Sequence, residues 1–205
     1  MKKEEFKHFI GIDISKSTLD LAIVNATNQE VPTCIEVTND AKGMKQIAQW
    51  IRSLQLEFDS VLFCLEHTGI YGLPVLNFLT KKGAFVWVEM AIQIIKSSGI
   101  QRGKNDKVDA KRIAQYAYRY QDNRKSFSLP SENQTAINDL MSTRDRLIAA
   151  RNMLVVPARE FDSVHEYNRS KRILKSGHHT LKGLEKDISE IERQVEELVK
   201  KDEAV

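Results

Sequence analysis

The chain has 205 residues, 41% hydrophobic and 29% charged, which is long enough for one well-buried domain with an appended element and too apolar for general disorder. A formal charge of +3 and a pI near 8.8 are too mild to argue for a nucleic-acid partner by total charge, so any such signal has to lie in how the charge is distributed. No run approaches the ~20 apolar residues of a membrane span, "MKKEEFKHFIGID" lacks a signal-peptide core, and Cys34 and Cys64 sit in separate apolar runs without zinc-type spacing; the expectation is a cytoplasmic, soluble protein with buried free thiols.

Along the chain, "HFIGIDIS" (8–15), "TLDLAIVN" (18–25) and "EVPTCIEVT" (30–38) predict three consecutive antiparallel strands separated by polar turns. "DAKGMKQIAQWIRSLQ" then spaces Met44, Ile47, Ile51 and Leu54 as one face of a helix, capped by Asn39 or Asp40. "SVLFCLEHTG" (60–69) has the dense apolar pattern of a strand buried on both faces. "GLPVLNFLTKKG" predicts a second helix stopping at Gly83, "AFVWVEM" (84–90) a further buried strand, and "QRGKNDKVDAKRIAQYAYR" (101–119) a basic helix. Three strands, helix, strand, helix, strand, helix is the element order of the ribonuclease-H-like fold, an α/β architecture with a mixed five-stranded sheet and flanking helices.

A Ser/Pro/polar break, "SFSLPSENQ" (126–134), ends this pattern. Beyond it Leu181, Leu184, Ile188, Ile191, Val195 and Leu198 alternate spacings of three and four, the seam of a coiled coil, and Leu140/Met141, Leu147/Ile148 and Leu154/Val155 recur every seven residues upstream. An antiparallel coiled-coil hairpin is expected, with Pro157 kinking or ending its first helix. A seam of six residues is more than one kinked helix is expected to cover, so a partner subunit is predicted to share it. The plainer reading is an amphipathic helix packed on the first domain. His178 and His179 read as solvated linker residues.

The positive charge is concentrated in the middle of the chain: residues 81–125 hold eleven Lys or Arg against four acids, whereas residues 181–205 hold five against eight. Inside that basic stretch Asp106 and Asp109 stand three apart, on one face of a helix, while Asp13 and Glu66 end two of the apolar runs. If the first and fourth strands are neighbours, a helix laid across their ends brings all four carboxylates together. Crowded hard oxygen ligands require cations and suit Mg²⁺ or Mn²⁺, and a metal pair can activate a nucleophile and stabilise the leaving oxygen of a phosphodiester. Arg102, Lys104, Lys107, Lys111 and Arg112 are the matching candidates for phosphate contact. Each acid also has a plainer role: Asp13 and Glu66 as polar strand ends, Asp106 and Asp109 as anions favoured at a helix N-terminus. Asp20 reads as an exposed strand residue and not a further ligand, and His67 as a pocket-rim or packing histidine. There is no GxSxG, phosphate-loop or HExxH motif.

"FIGIDISKSTLDLAIV", "LEHTGIYG" and "GKNDKVDAKRIAQYA" together resemble, in order and spacing, the three signature blocks of the DEDD-type insertion-sequence transposases, RNA-guided recombinases related to the pilin-gene-inverting recombinase. The resemblance implies a RuvC-like catalytic domain over residues 1–127 and a helical coiled-coil dimerisation region over 131–205. It assigns Asp13, Glu66, Asp106 and Asp109 to the family's metal-binding tetrad. It further implies double-stranded DNA as substrate, a structured guide RNA as partner, and dimers or tetramers. The family's C-terminal domain with its nucleophilic serine is not part of this sequence, so strand exchange by this chain alone is not expected. Three other readings compete. A stand-alone RuvC-like junction endonuclease would use the same tetrad, and a non-catalytic nucleic-acid-binding dimerisation module would use metal only to organise the site. An actin-like ATPase shares the "GIDIS" start but would need a second glycine-rich loop.

Overall fold

The computed structural model describes residues 6–27, 33–97 and 106–203, with the backbone alone described at Asp106, Lys107, Asp202 and Glu203. The chain divides into two compact units, Met1–Leu129 and Pro130–Val205.

The first unit is built on a five-stranded sheet of β1 (His8–Ile14), β2 (Thr18–Asn25), β3 (Cys34–Thr38), β4 (Val61–Glu66) and β5 (Phe85–Glu89), in the spatial order β3-β2-β1-β4-β5. β2 is antiparallel to β1 and β3, whereas β4 runs parallel to β1 and β5. Three antiparallel strands continued by parallel ones is the ribonuclease-H-like arrangement, as the element order predicts. Among the described residues four α-helices flank it: α1 (Ala41–Ser53), α2 (Leu73–Lys81), α3 (Ala91–Ser97) and α4 (Asp106–Arg119). Asp40 caps α1, its Oδ1 accepting from the Lys42 and Gly43 amides at 2.9 Å.

Strand alternation sends successive side chains to opposite faces, and both faces are covered, which is why the central strands read as nearly continuous apolar runs. On one face Ile10, Ile12, Leu19, Leu21, Phe63 and Leu65 pack with Ile47 and Ile51 of α1 and Val75 and Leu79 of α2. On the other, Phe9, Leu62, Cys64 and Trp87 pack with Ile94 of α3 and Ile113, Tyr116 and Ala117 of α4. Each such side chain contributes roughly 1.5–3 kcal/mol by leaving water. α4 rests directly on β1: a Cβ at Gly11 would fall 2.2 Å from the Ala110 carbonyl oxygen and 2.2 Å from the Ala114 nitrogen. Only glycine allows that approach.

The second unit consists of α5 (Glu132–Ser163), α6 (Tyr167–Ser176) and α7 (His178–Glu203). A capping box starts α5, with the Ser131 hydroxyl accepting from the Gln134 amide and the Gln134 side chain accepting from the Ser131 amide. Within this unit α7 packs along α5, and Arg144 of α5 pairs with Glu192 of α7 at 2.8 Å. Within the one chain Ile188 and Ile191 are buried and Leu181, Leu184, Val195 and Leu198 half-buried, so the chain's own helices cover part of the seam assigned above to a partner subunit. Of the two outcomes expected at Pro157, kinking or ending its helix, the second does not occur, since Pro157 lies inside α5. Two further details differ from the sequence reading. A separate short helix, α6, stands between the two long ones. His178 and His179 open α7 and do not form a linker.

Candidate functional site

The backbone ladder sets the position of the first two candidate acids. β1 and β4 pair in parallel up to Ile12 opposite Leu65, and Asp13 and Glu66 are the next residues on these adjacent strands. Alternation places Asp13 with Phe9 and Gly11, and Glu66 with Leu62 and Cys64, on the face that α4 crosses. Because Gly11 lets the α4 backbone sit on β1 at Ala110, the neighbouring Asp109 is carried to the same end of the sheet.

Electrostatics registers the convergence. Burial first, then the charges of Asp13 and Asp109, push the Glu66 carboxyl above its usual range. Glu66 therefore lies within electrostatic reach of both Asp13 and Asp109, the three acids being contributed by two strands and a helix. Asp106 is the first residue of α4, three before Asp109. Its side chain and that of Lys107 lie outside the described residues, as do Arg102 and Lys104 altogether. Arg112 donates from Nη1 to Asp109 Oδ1 at 2.6 Å, which balances part of the negative charge. The Asp13 Oδ1 accepts from the Ile14 amide at 3.0 Å.

Carboxylates crowd this end of the sheet more than the sequence reading anticipated. Asp20, read as exposed, is only 6% exposed and stands opposite Asp13 in the β1–β2 ladder, with Glu36 opposite it on β3. Glu89 stands opposite Glu66. The Glu89 Oε2 accepts from the Tyr116 hydroxyl at 3.1 Å and its Oε1 from the Met90 amide at 2.8 Å, while its backbone carbonyl accepts from the His67 amide at 3.0 Å. Glu89 thereby ties α4 and the segment after Glu66 to β5. Burial and the bond to Glu89 push the Tyr116 hydroxyl upward, favouring its neutral, donating form. The signal for Glu89 was present in the sequence, since it closes "FVWVE" as Glu66 closes "VLFCLE". Cys64 is fully buried and its thiol pushed up by burial, in keeping with an inert core residue. His67 is exposed.

The donors are all hard carboxylate oxygens, the chemistry that suits Mg²⁺ or Mn²⁺, and their mutual repulsion is what a cation would relieve. Among the described residues no three His, Cys, Asp or Glu side chains stand close enough as arranged to hold a metal ion, so the match is one of donor type and not of a preformed cage. Among the described residues no helix is long and apolar enough to cross a membrane.

Two solved structures of RuvC from Thermus thermophilus are similar to this chain. One, in complex with a Holliday junction substrate, is 12% identical over 58% of this chain and 99% of that one, with a TM-score of 0.45. The other is 12% identical over 58% of this chain and 98% of that one, with a TM-score of 0.40. A search of curated proteins found no match. Residues 10–161, from β1 through nearly all of α5, match the transposase family of the DEDD, IS110 type, and the chain belongs to that family.

Proposed function

We propose that Asp13, Glu66, Asp106 and Asp109 form a divalent-cation site through which the chain acts on DNA phosphodiesters during insertion-sequence transposition. One observation carries this reading: the charges of Asp13 and Asp109 both raise the Glu66 carboxyl, so an acid on β1 and an acid on α4 each oppose the charge of the acid on β4. A bound Mg²⁺ or Mn²⁺ would supply Lewis-acid stabilisation of charge on the attacking and leaving oxygens.

The chain's own part is positioning. The parallel ladder fixes Asp13 beside Glu66, and the seat of α4 on Gly11 fixes Asp109, with Asp106 one turn before it. Arg112 orients the Asp109 carboxylate. Arg102, Lys104, Lys107, Lys111 and Arg112 neutralise backbone phosphates, a sequence-independent attraction that weakens with salt. Double-stranded DNA as substrate, a structured guide RNA, and a dimer or tetramer formed through the helical unit belong to the same proposal and rest on family membership.

Calorimetric titration with Mn²⁺ tests it. The unaltered protein is expected to take up Mn²⁺, and the double substitution Asp13→Asn with Glu66→Gln to weaken uptake at least about tenfold, as loss of two charged ligands should. No uptake by the unaltered protein at millimolar Mn²⁺ overturns the reading.

A further inference from the structure

α3 and α4 line a cavity of about 200 Å³ whose charged lining, among the described residues, is cationic: Lys111, Arg112 and Arg119 from α4, with the Gln115 amide as a neutral donor and Ser97, Val108 and Tyr116 completing the wall. On α4 Lys111, Gln115 and Arg119 stand at i, i+4 and i+8, successive positions along one face, with Arg112 beside them and paired to Asp109, so the Lys111 and Arg119 charges favour an anion in the cavity. The volume is several times the ~30 Å³ share of one water, enough for a tetrahedral oxyanion with part of an attached sugar. Guanidinium groups bind such oxyanions through two parallel N–H bonds, and the Gln115 amide can add a further donor.

We infer that this cavity is a discrete binding site for one nucleic-acid phosphodiester, held beside the carboxylates and distinct from the phosphodiester that reacts. The inference rests on the proposed function, which it deepens by naming where on α4 the backbone is gripped. Arg112 joins the two places, since it lines the cavity and also donates to Asp109 at 2.6 Å. An anchored phosphate therefore fixes the strand's register against Asp109 through a single side chain. Arg119 and Gln115 enter as binding residues.

Binding of a duplex DNA and of an RNA hairpin to the full chain, measured across a salt series, tests the site. Lys111→Ala with Arg119→Ala is expected to weaken binding and to lower the log–log salt slope on duplex DNA by about 1.8, two contacts at ~0.9 each. Lys45→Ala with Arg52→Ala removes the same charge from α1, across the sheet from α4, and should leave the slope unchanged. Gln115→Ala removes no charge and should weaken binding several-fold at constant slope, as a shaped pocket requires and diffuse attraction does not. A slope change confined to DNA, or confined to RNA, names the source of the phosphodiester and supports the site in either case. An unchanged slope on both, an equal change in the α1 pair, or full affinity in Gln115→Ala overturns it. Mn²⁺ titration of the same preparations reads the carboxylates separately, so failure of the metal site and failure of the phosphate pocket are told apart.

Discussion

Glu66 is held in a position that disfavours its own charge. Burial and the charges of Asp13 and Asp109 raise its proton affinity in the fold, so the folded chain keeps this proton to higher pH than the unfolded chain, whose carboxyl titrates near 4.5. The folded state binds the extra proton between those two values. Stability from this group is therefore greatest below them and falls as pH rises through the raised value, where the carboxyl ionises against its neighbours. Glu66→Gln is expected to melt at a higher temperature than the unaltered protein at pH 7 without divalent metal, with the gap closing as the pH is lowered through the titration. A lower melting temperature for the variant would mean that Glu66 makes net favourable contacts. Glu66 was legible in the sequence because it interrupts five apolar residues. Asp20 was not, because period-two alternation in "TLDLA" reads as a solvent face, and nothing local says that a helix more than 80 residues later covers it. Glu89 carries the same strand-end signal as Glu66, but the acids that stand among basic residues are those of the helix that follows.

At the scale of elements, α4 is the piece on which the site depends. Its first turn supplies Asp106 and Asp109, and its seat on Gly11 has no side chain in between. Gly11→Ala would drive a methyl group against backbone atoms of Ala110 and Ala114, which cannot rotate aside, so the helix must shift. A loss of about 1–3 kcal/mol or more in urea unfolding is expected, the usual range for overpacking, together with weaker Mn²⁺ uptake because Asp109 moves with the helix. Unchanged stability would show that α4 tolerates displacement. Strand and helix identities in the first unit followed from apolar runs and periodicity, but this contact did not. Glycine in "FIGID" signals a close approach without saying what approaches. In the second unit, heptad spacing indicates the α5–α7 pairing, while α6 gives no such signal because its sequence, "YNRSKRILKS", has too few apolar residues to form a recognisable period.

For the whole molecule, the element order led to the sheet order because right-handed, short connections leave few topologies for three hairpin strands followed by two crossovers. How the seam of α7 is covered was not legible in the same way: heptads say that a face must be buried, not by which chain. Ile188 and Ile191 are buried in their own unit, so Ile188→Glu with Ile191→Glu should do more than separate subunits. Each forfeits roughly 1.5–3 kcal/mol of burial, and helical circular dichroism should fall while the sheet unit keeps its own melting transition. Monomers with undiminished helix content would instead mean that the seam serves a second copy.

Pro157 gives the same unit an internal division. It has no N–H to offer the Met153 carbonyl, and Met153 itself is 76% exposed, so one rung of the 32-residue α5 is missing where packing does little to replace it. Hydrogen exchange should show α5 as two segments that open separately. Amides of residues 158–163 should exchange well ahead of those of residues 140–150, whereas uniform protection across the proline would mean that the grip of α6 and α7 sets the helix's cohesion. The long helix is then two cooperative blocks in series, able to lose its far end without releasing its near one.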